Sequence, residues 1–259
     1  MEMSAEDLED LEYARSLLET RSFAVKVSNL VGAPLEKGFR ILPARWSGTV
    51  QSATQTALSK ALGFAVLTLG DRGGRASADI LHKLSVAATG ALGGAFGFPA
   101  LPFELSLSTT LMLRSIADIA RSEGEDLKRI DTRLACLEVF GLTGATGAEN
   151  GTETGYYATR AALASAVSEA ARYIALQGLR EQSAPALVRL IAAIGVRFGV
   201  IVSEKLAAQA VPLVGAAGGA LINTVFIAHF QDQARGHFLV RRLERKYGAE
   251  TVKERYERR

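Results

Sequence analysis

Read for the spacing of its apolar positions, the chain predicts helices throughout. Leu8, Leu11, Leu18 and Val25 share one face of residues 4–30, and Ser4 with Asp7 forms an N-terminal cap. Gly32 and Pro34 interrupt this face, and a second short amphipathic piece ends near Leu42 and Pro43. From Ala44 to about Leu69, Trp46, Val50, Ala53, Ala57, Ala61 and Phe64 return at steps of three and four. That face is mostly alanine, so a neighbouring helix can approach closely. The run Gly70 to Gly74 is a break, and with no GK[ST] after it and no strand before it, it is not a phosphate loop. Leu105, Thr109, Met112, Ile116 and Ile119 predict a regular helix ending near Gly124. Further helices are expected to finish at Phe140, to run from Tyr156 to Gly178, and to run from Ala186 to Ala210. No sustained period-two alternation occurs, so the expected fold is all-α, a multi-helix single domain.

Two stretches depart from ordinary amphipathic helices. Between Lys83 and Glu104 lie twenty uncharged residues, and from Leu206 to Gln231 lie 26. Both lengths reach the roughly 20 residues that cross a bilayer. Gly90, Gly93, Gly94 and Gly97 in the first, and Gly215, Gly218 and Gly219 in the second, are spaced for close helix contact. Pro99 and Pro102 make an uninterrupted helix poor in the first stretch. Each stretch leads into an amphipathic helix, and the second reads as an apolar segment, a polar step and a basic helix. Gly94 to Gly124 spans 30 residues and Gly219 to Gly248 spans 29. The two therefore read as a degenerate internal repeat of glycine-rich hairpin plus helix.

Composition adds less than its distribution does. Hydrophobic residues make up 48% of the chain, and the mean hydropathy of +0.15 lies between soluble and polytopic membrane proteins. A single cysteine, Cys136, excludes an internal disulfide and fits a reducing compartment. The opening residues are acidic and helical, with no secretory pattern, which sets a cytoplasmic expectation. Residues 1–20 carry seven acids and one arginine, whereas residues 232–259 carry nine Lys or Arg and five acids. The basic end can meet phosphates, anionic lipid or acidic protein.

The candidate chemistry is sparse. With three histidines and no HExxH or Cys-x-x-Cys, neither a metal nor another cofactor is expected. His229 and His237 lie about 80° apart around a helix, with Asp232 between them in sequence, and read as a structural set or the wall of a ligand pocket. Glu104 follows the first apolar stretch at a helix start, where the dipole favours its charge. It can contact a ligand or a basic residue of the second copy, or simply cap its helix. Asn223 lies inside the second stretch and needs a partner such as Thr89 or a free carbonyl. Residues 141–155, with five glycines and no basic residue, read as a lid or a surface connection beside Tyr156, Tyr157 and Arg160. No serine elbow or dinucleotide fingerprint occurs, and no catalytic residue is assigned. Arg241, Arg242, Arg245 and Lys246 flank Leu239, Leu243 and Tyr247, a pattern that can lie on an anionic membrane. Interleaved acids and the lack of stacking aromatics argue against nucleic acid.

Three segments together resemble the EcsC protein family: LHKLSVAATGALGGAFGFPALPFELSLSTTLMLRSIADIARSEGEDL, CLEVFGL, and RFGVIVSEKLAAQAVPLVGAAGGALINTVFIAHFQDQARGHFLVRRLERKYG. The resemblance covers roughly Leu35 to Tyr256, and divides the chain into an acidic N-terminal helix, 1–34, and an EcsC-like helical domain, 35–259. It implies a bacterial protein of a family named for a gene beside the two subunits of an ABC transporter, with such a transporter or a secretion system as partner, and supplies no catalytic residues. The expected location is the cytoplasm or the cytoplasmic face of the inner membrane. The leading expectation is a non-enzymatic, membrane-associated helical protein that binds lipid or a hydrophobic ligand. The alternative is a soluble all-α protein built around a central apolar hairpin, a hydrolase using Glu104.

Overall fold

The computed structural model describes residues 3–19, 23–32, 34–42, 45–70, 101–142, 155–179, 181, 183–211 and 215–258. Ten helices make up this part of the chain: α1 (Ala5–Glu19), α2 (Phe23–Val31), α3 (Leu35–Ile41), α4 (Trp46–Thr68), α5 (Leu101–Ser122), α6 (Ile130–Leu142), α7 (Tyr156–Gln177), α8 (Pro185–Ala210), α9 (Gly215–Tyr247) and α10 (Ala249–Glu257). No strand occurs among the described residues. The chain is all-α, as its spacing predicts.

Two long helices are shared by everything else. On α8 pack α2, α3, α4, α6, α7 and α9, while on α9 pack α1, α2, α5, α6, α8 and α10. The α9 helix has 33 residues, about 50 Å of rise. It carries the apolar stretch, the polar step and the basic end without interruption. None of Asn223, His229 and Asp232 breaks a helix, so a polar step in composition becomes a polar stripe on one continuous rod. The centre of the core is aromatic: Phe140, Phe198, Phe226 and Phe230 lie with ring centroids 5.1 to 6.3 Å apart, and Phe23 joins at 5.7 Å from Phe226. Each such pair contributes about 0.5–1.5 kcal/mol beyond its buried area.

The alanine face of α4 behaves as its spacing predicts. Ala53, Ala57, Ala61 and Ala65 are fully buried, and α4 makes its most extensive contact with α5. The segment expected as one helix over 4–30 forms two, α1 and α2, on either side of residues 20–22. Its cap is as expected: the Asp7 N–H donates to Ser4 Oγ at 3.2 Å, and Ser4 Oγ donates back to the Asp7 carboxylate at 2.6 Å.

Among the described residues, close backbone contacts fall on two glycines that the spacing does not single out, Gly38 and Gly236. Gly90, Gly93, Gly94 and Gly97 lie outside the described residues, as do Thr89 and residues 143–154 with Glu149, Asn150 and Glu153. Gly215 and Gly218 occupy the first turn of α9. At Gly219 an added Cβ would meet no described atom within 4 Å. A Cβ at Gly38 would instead overlap the Ala207 carbonyl at 1.8 Å, and one at Gly236 would lie 2.6 Å from Leu18 Cγ and 2.9 Å from the Ala14 carbonyl. These glycines seat α3 on α8 and α1 on α9. The proposed internal repeat is not seen in the described residues, since most of its first apolar stretch lies outside them.

Candidate functional site

The N-terminal half of α9 faces a charged pair set in apolar surroundings. Glu104, in the first turn of α5, accepts a hydrogen bond from Lys205 Nζ at 3.1 Å. The Lys205 side chain is only 4% exposed, and its ammonium sits 4.7 Å from the centre of the Phe226 ring. A buried ammonium thus has one carboxylate and one π face in place of water. Lys205 directly precedes the second uncharged stretch, so Glu104 is held by a cation at that stretch's edge. Asn223 stands three residues before Phe226, and its Oδ1 is buried without a partner among the described residues. His229 stands three residues after, packed 5.6 Å from Phe23 and 5.4 Å from Phe230. Neither of its ring nitrogens has a partner among the described residues. Burial first, and the Lys26 charge second, push its pKa down to about 3. Asp232 pairs with Lys26 at 3.5 Å and with Arg235 at 3.2 Å.

The C-terminal half of α9 meets α6 and α7 in a second polar cluster. Tyr156 Oη and His237 Nδ1 share a hydrogen bond of 2.8 Å, and His237 Nε2 is buried without a described partner. Burial, then the charges of Arg160 and Arg241, hold the His237 pKa well below its ordinary value. Arg160 grips the Glu244 carboxylate with both arms of its fork, at 2.7 and 2.8 Å, and Tyr157 donates to the same carboxylate at 3.3 Å. Glu138 on α6 faces this group, and burial pushes its carboxyl up to about 7 against the pull of Arg160 and Arg241. The sequence places Tyr156, Tyr157 and Arg160 beside the glycine-rich connection and His237 on the basic helix. Nothing in the sequence singled out Glu138, which lies in an otherwise apolar stretch of α6.

The basic edge of α9 is neutralised from within the chain. After α5, Gly124 takes a φ of 79°, and the Glu125 N–H returns to the Ala120 carbonyl at 3.0 Å. This turn aims Glu125 at α9, where Arg241 binds it at 2.8 and 3.2 Å and Arg245 binds it as well. Burial alone would raise the Glu125 carboxyl, but the hydrogen bond and charge from Arg241, with Arg245 and Thr132, hold it below its usual range. Arg242 pairs with Asp10 and, at 3.0 Å, with Glu123. Lys246 reaches Asp7 at 2.7 Å, and Tyr247 donates to that carboxylate at 2.6 Å. The hydrogen bonds from Lys246, Ser4 and Tyr247 hold Asp7 well below the usual carboxylate range.

Taken together, these clusters bind helices to one another. Among the described residues, no group of three or more His, Cys, Asp or Glu comes together as a metal site. Cys136 is buried, and burial pushes its thiol pKa up.

Among the described residues, an exposed apolar surface lies on α8. Among the described residues this is the one helix long and apolar enough to cross a membrane, yet only 39% of its most apolar window is buried. Val188, Ala192, Val196 and Val200, four residues apart, form an outward stripe along it. Val196 is 71% exposed, and Leu176 on α7 is 75% exposed. A groove of about 560 Å³ between α7 and α8 is lined by Glu169, Arg172, Tyr173, Leu176, Gln177, Ala186 and Arg189. Phe103 and Leu221 add smaller exposed apolar points beside the Glu104–Lys205 pair and on the first half of α9.

The family model for the EcsC protein family matches residues 8–243. The matched range therefore includes most of α1, upstream of the Leu35 start read from the quoted segments. No curated protein and no solved structure matches the chain.

Proposed function

This chain belongs to the EcsC protein family, and from that premise we propose a non-enzymatic helical protein that attaches to the cytoplasmic face of the bacterial inner membrane through apolar contact with lipid. The observation that carries this reading is the outward valine stripe of α8, on a helix whose apolar window is mostly unburied. Contiguous exposed apolar surface of this kind marks contact with lipid or a partner. The reading is interfacial rather than spanning. The opposite face of α8 supports six neighbouring helices and holds the buried Lys205, which binds Glu104. An apolar helix face resting about 5–10 Å into the headgroup boundary needs only the outward stripe. An accessory role beside an ABC transporter is what the family suggests for a protein so placed.

Cell fractionation tests the reading. The native protein is expected to pellet with membranes, to resist a salt wash and to come off in alkaline carbonate. Replacing Val196 and Val200 with serine is expected to move it to the soluble fraction. A native protein found wholly in the soluble fraction overturns the reading.

A further inference from the structure

We propose that the groove between α7 and α8 is a binding site for the phosphate of an anionic phospholipid, with Arg172 and Arg189 as its ligands and the valine stripe under the acyl chains. This inference rests on the membrane reading above and names the lipid class. Its first support is charge. Helices α7 and α8 together carry five Lys or Arg and two acids, a net of +3, so this pair of helices is cationic as well as apolar.

The second support is which cations are free. The basic edge of α9 is occupied by Asp7, Asp10, Glu123 and Glu125. Arg172, in contrast, is exposed and has no ion-pair partner among the described residues. Arg189 touches Glu169 at 2.9 Å, but its side chain is 64% exposed, so most of its fork is open to a second anion. A guanidinium fork matches phosphate oxygens in pairs.

The third support is the wall. Leu176 lines the groove and is exposed, and Val188, next to Arg189 in sequence, begins the exposed stripe that continues through Val196 to Val200. A soluble phosphate has no use for that surface. A phospholipid, with a charged head and apolar chains, uses both.

The test is flotation of the full-length protein with vesicles of phosphatidylcholine alone, and of phosphatidylcholine mixed with phosphatidylglycerol. The native protein is expected to bind both and to prefer the mixed vesicles. Arg172→Ala is expected to weaken binding to the mixed vesicles by roughly fivefold, the equivalent of the roughly 1 kcal/mol of one basic residue near an anionic surface, and to leave neutral vesicles unaffected. Arg189→Ala is expected to do at least as much, because it also frees the Glu169 carboxylate. Arg172 is exposed and has no ion pair among the described residues, so its variant is expected to keep the fold and decides the matter even if Arg189→Ala does not. Arg121→Ala, an equal loss of charge on α5, is expected to leave the preference intact. If Arg172→Ala and Arg121→Ala behave alike, the groove is not the site, though the membrane reading stands. If the native protein floats with neither vesicle, the membrane reading itself fails. Glycerol phosphate is expected not to compete, and full displacement by it would assign the groove to a soluble phosphate instead.

Discussion

Replacing His229 with leucine tests whether this ring is held neutral in the core. The side chain is 4% exposed, its nitrogens have no described partner, and its pKa is pushed from the ordinary 6.5 down to about 3. The unfolded chain therefore takes up a proton at higher pH than the folded chain does. The stability contributed by the neutral ring is fully present above 6.5 and is lost as pH falls toward 3. At about pH 5 the native protein has lost about 1.5 pH units of this linkage, or about 2 kcal/mol. Leucine is close to histidine in volume, titrates nowhere and removes an unpartnered buried polar group, a penalty of about 1–3 kcal/mol. Any fixed change in packing energy is the same at every pH. Urea unfolding of both proteins at about pH 8 and about pH 5 thus isolates the proton: the variant is expected to gain about 2 kcal/mol on the native protein over that interval. A gap that stays constant would mean that His229 titrates near its ordinary value, and the buried, neutral ring would be refuted.

Glu138 gives the opposite sign. Its carboxyl is pushed from 4.5 up to about 7, so the stability of the protonated form is present at low pH and lost as pH rises through 7. Glu138→Gln keeps a neutral group there and is expected to gain about 3 kcal/mol on the native protein between about pH 4.5 and about pH 8, measured by the same unfolding assay. A close contact is tested by Gly236→Ala, whose Cβ would meet Leu18 Cγ at 2.6 Å and the Ala14 carbonyl at 2.9 Å. Overpacking of about 1–3 kcal/mol is expected to exceed the helix-propensity gain of about 1 kcal/mol, so the urea midpoint falls. A rise would show that α1 can move away from α9 freely.

What was legible in the sequence was whatever depends on local periodicity. The alanine face of α4, the Ser4 cap and the spans of α5, α7 and α8 all follow from spacings within one helix, and the structure has them. What spacing could not supply was the identity of the facing residue. Gly219 has the small-residue pattern and no described atom close enough to meet a Cβ, whereas Gly38 and Gly236 have no pattern and touch neighbouring backbone. The difference lies wholly in which helix crosses at that point. Glu104 was singled out from its position at a helix start, yet its partner Lys205 is 101 residues away, and only the packing of α5 near α8 and α9 brings the two together. Glu138 escaped notice because a lone acid in an apolar run looks the same whether it faces solvent or the core.

The charge asymmetry is a second feature whose partners only the packing supplies. Composition alone lets the basic end meet phosphates, anionic lipid or acidic protein. Asp10 and Arg242 are 232 positions apart, and Asp7 and Lys246 are 239 apart, yet each pair is in contact because α1 lies along α9. Partners at that distance in sequence satisfy each other's charge, and an anionic surface gains little from cations already paired. Attraction to such a surface is left to cations outside these ion pairs at the α1–α9 contact. Arg172 forms no ion pair among the described residues, and it lines the groove between α7 and α8. Pairing at one end of the molecule thereby shifts the expected lipid contact from the basic helix, where composition placed it, to the α7–α8 side.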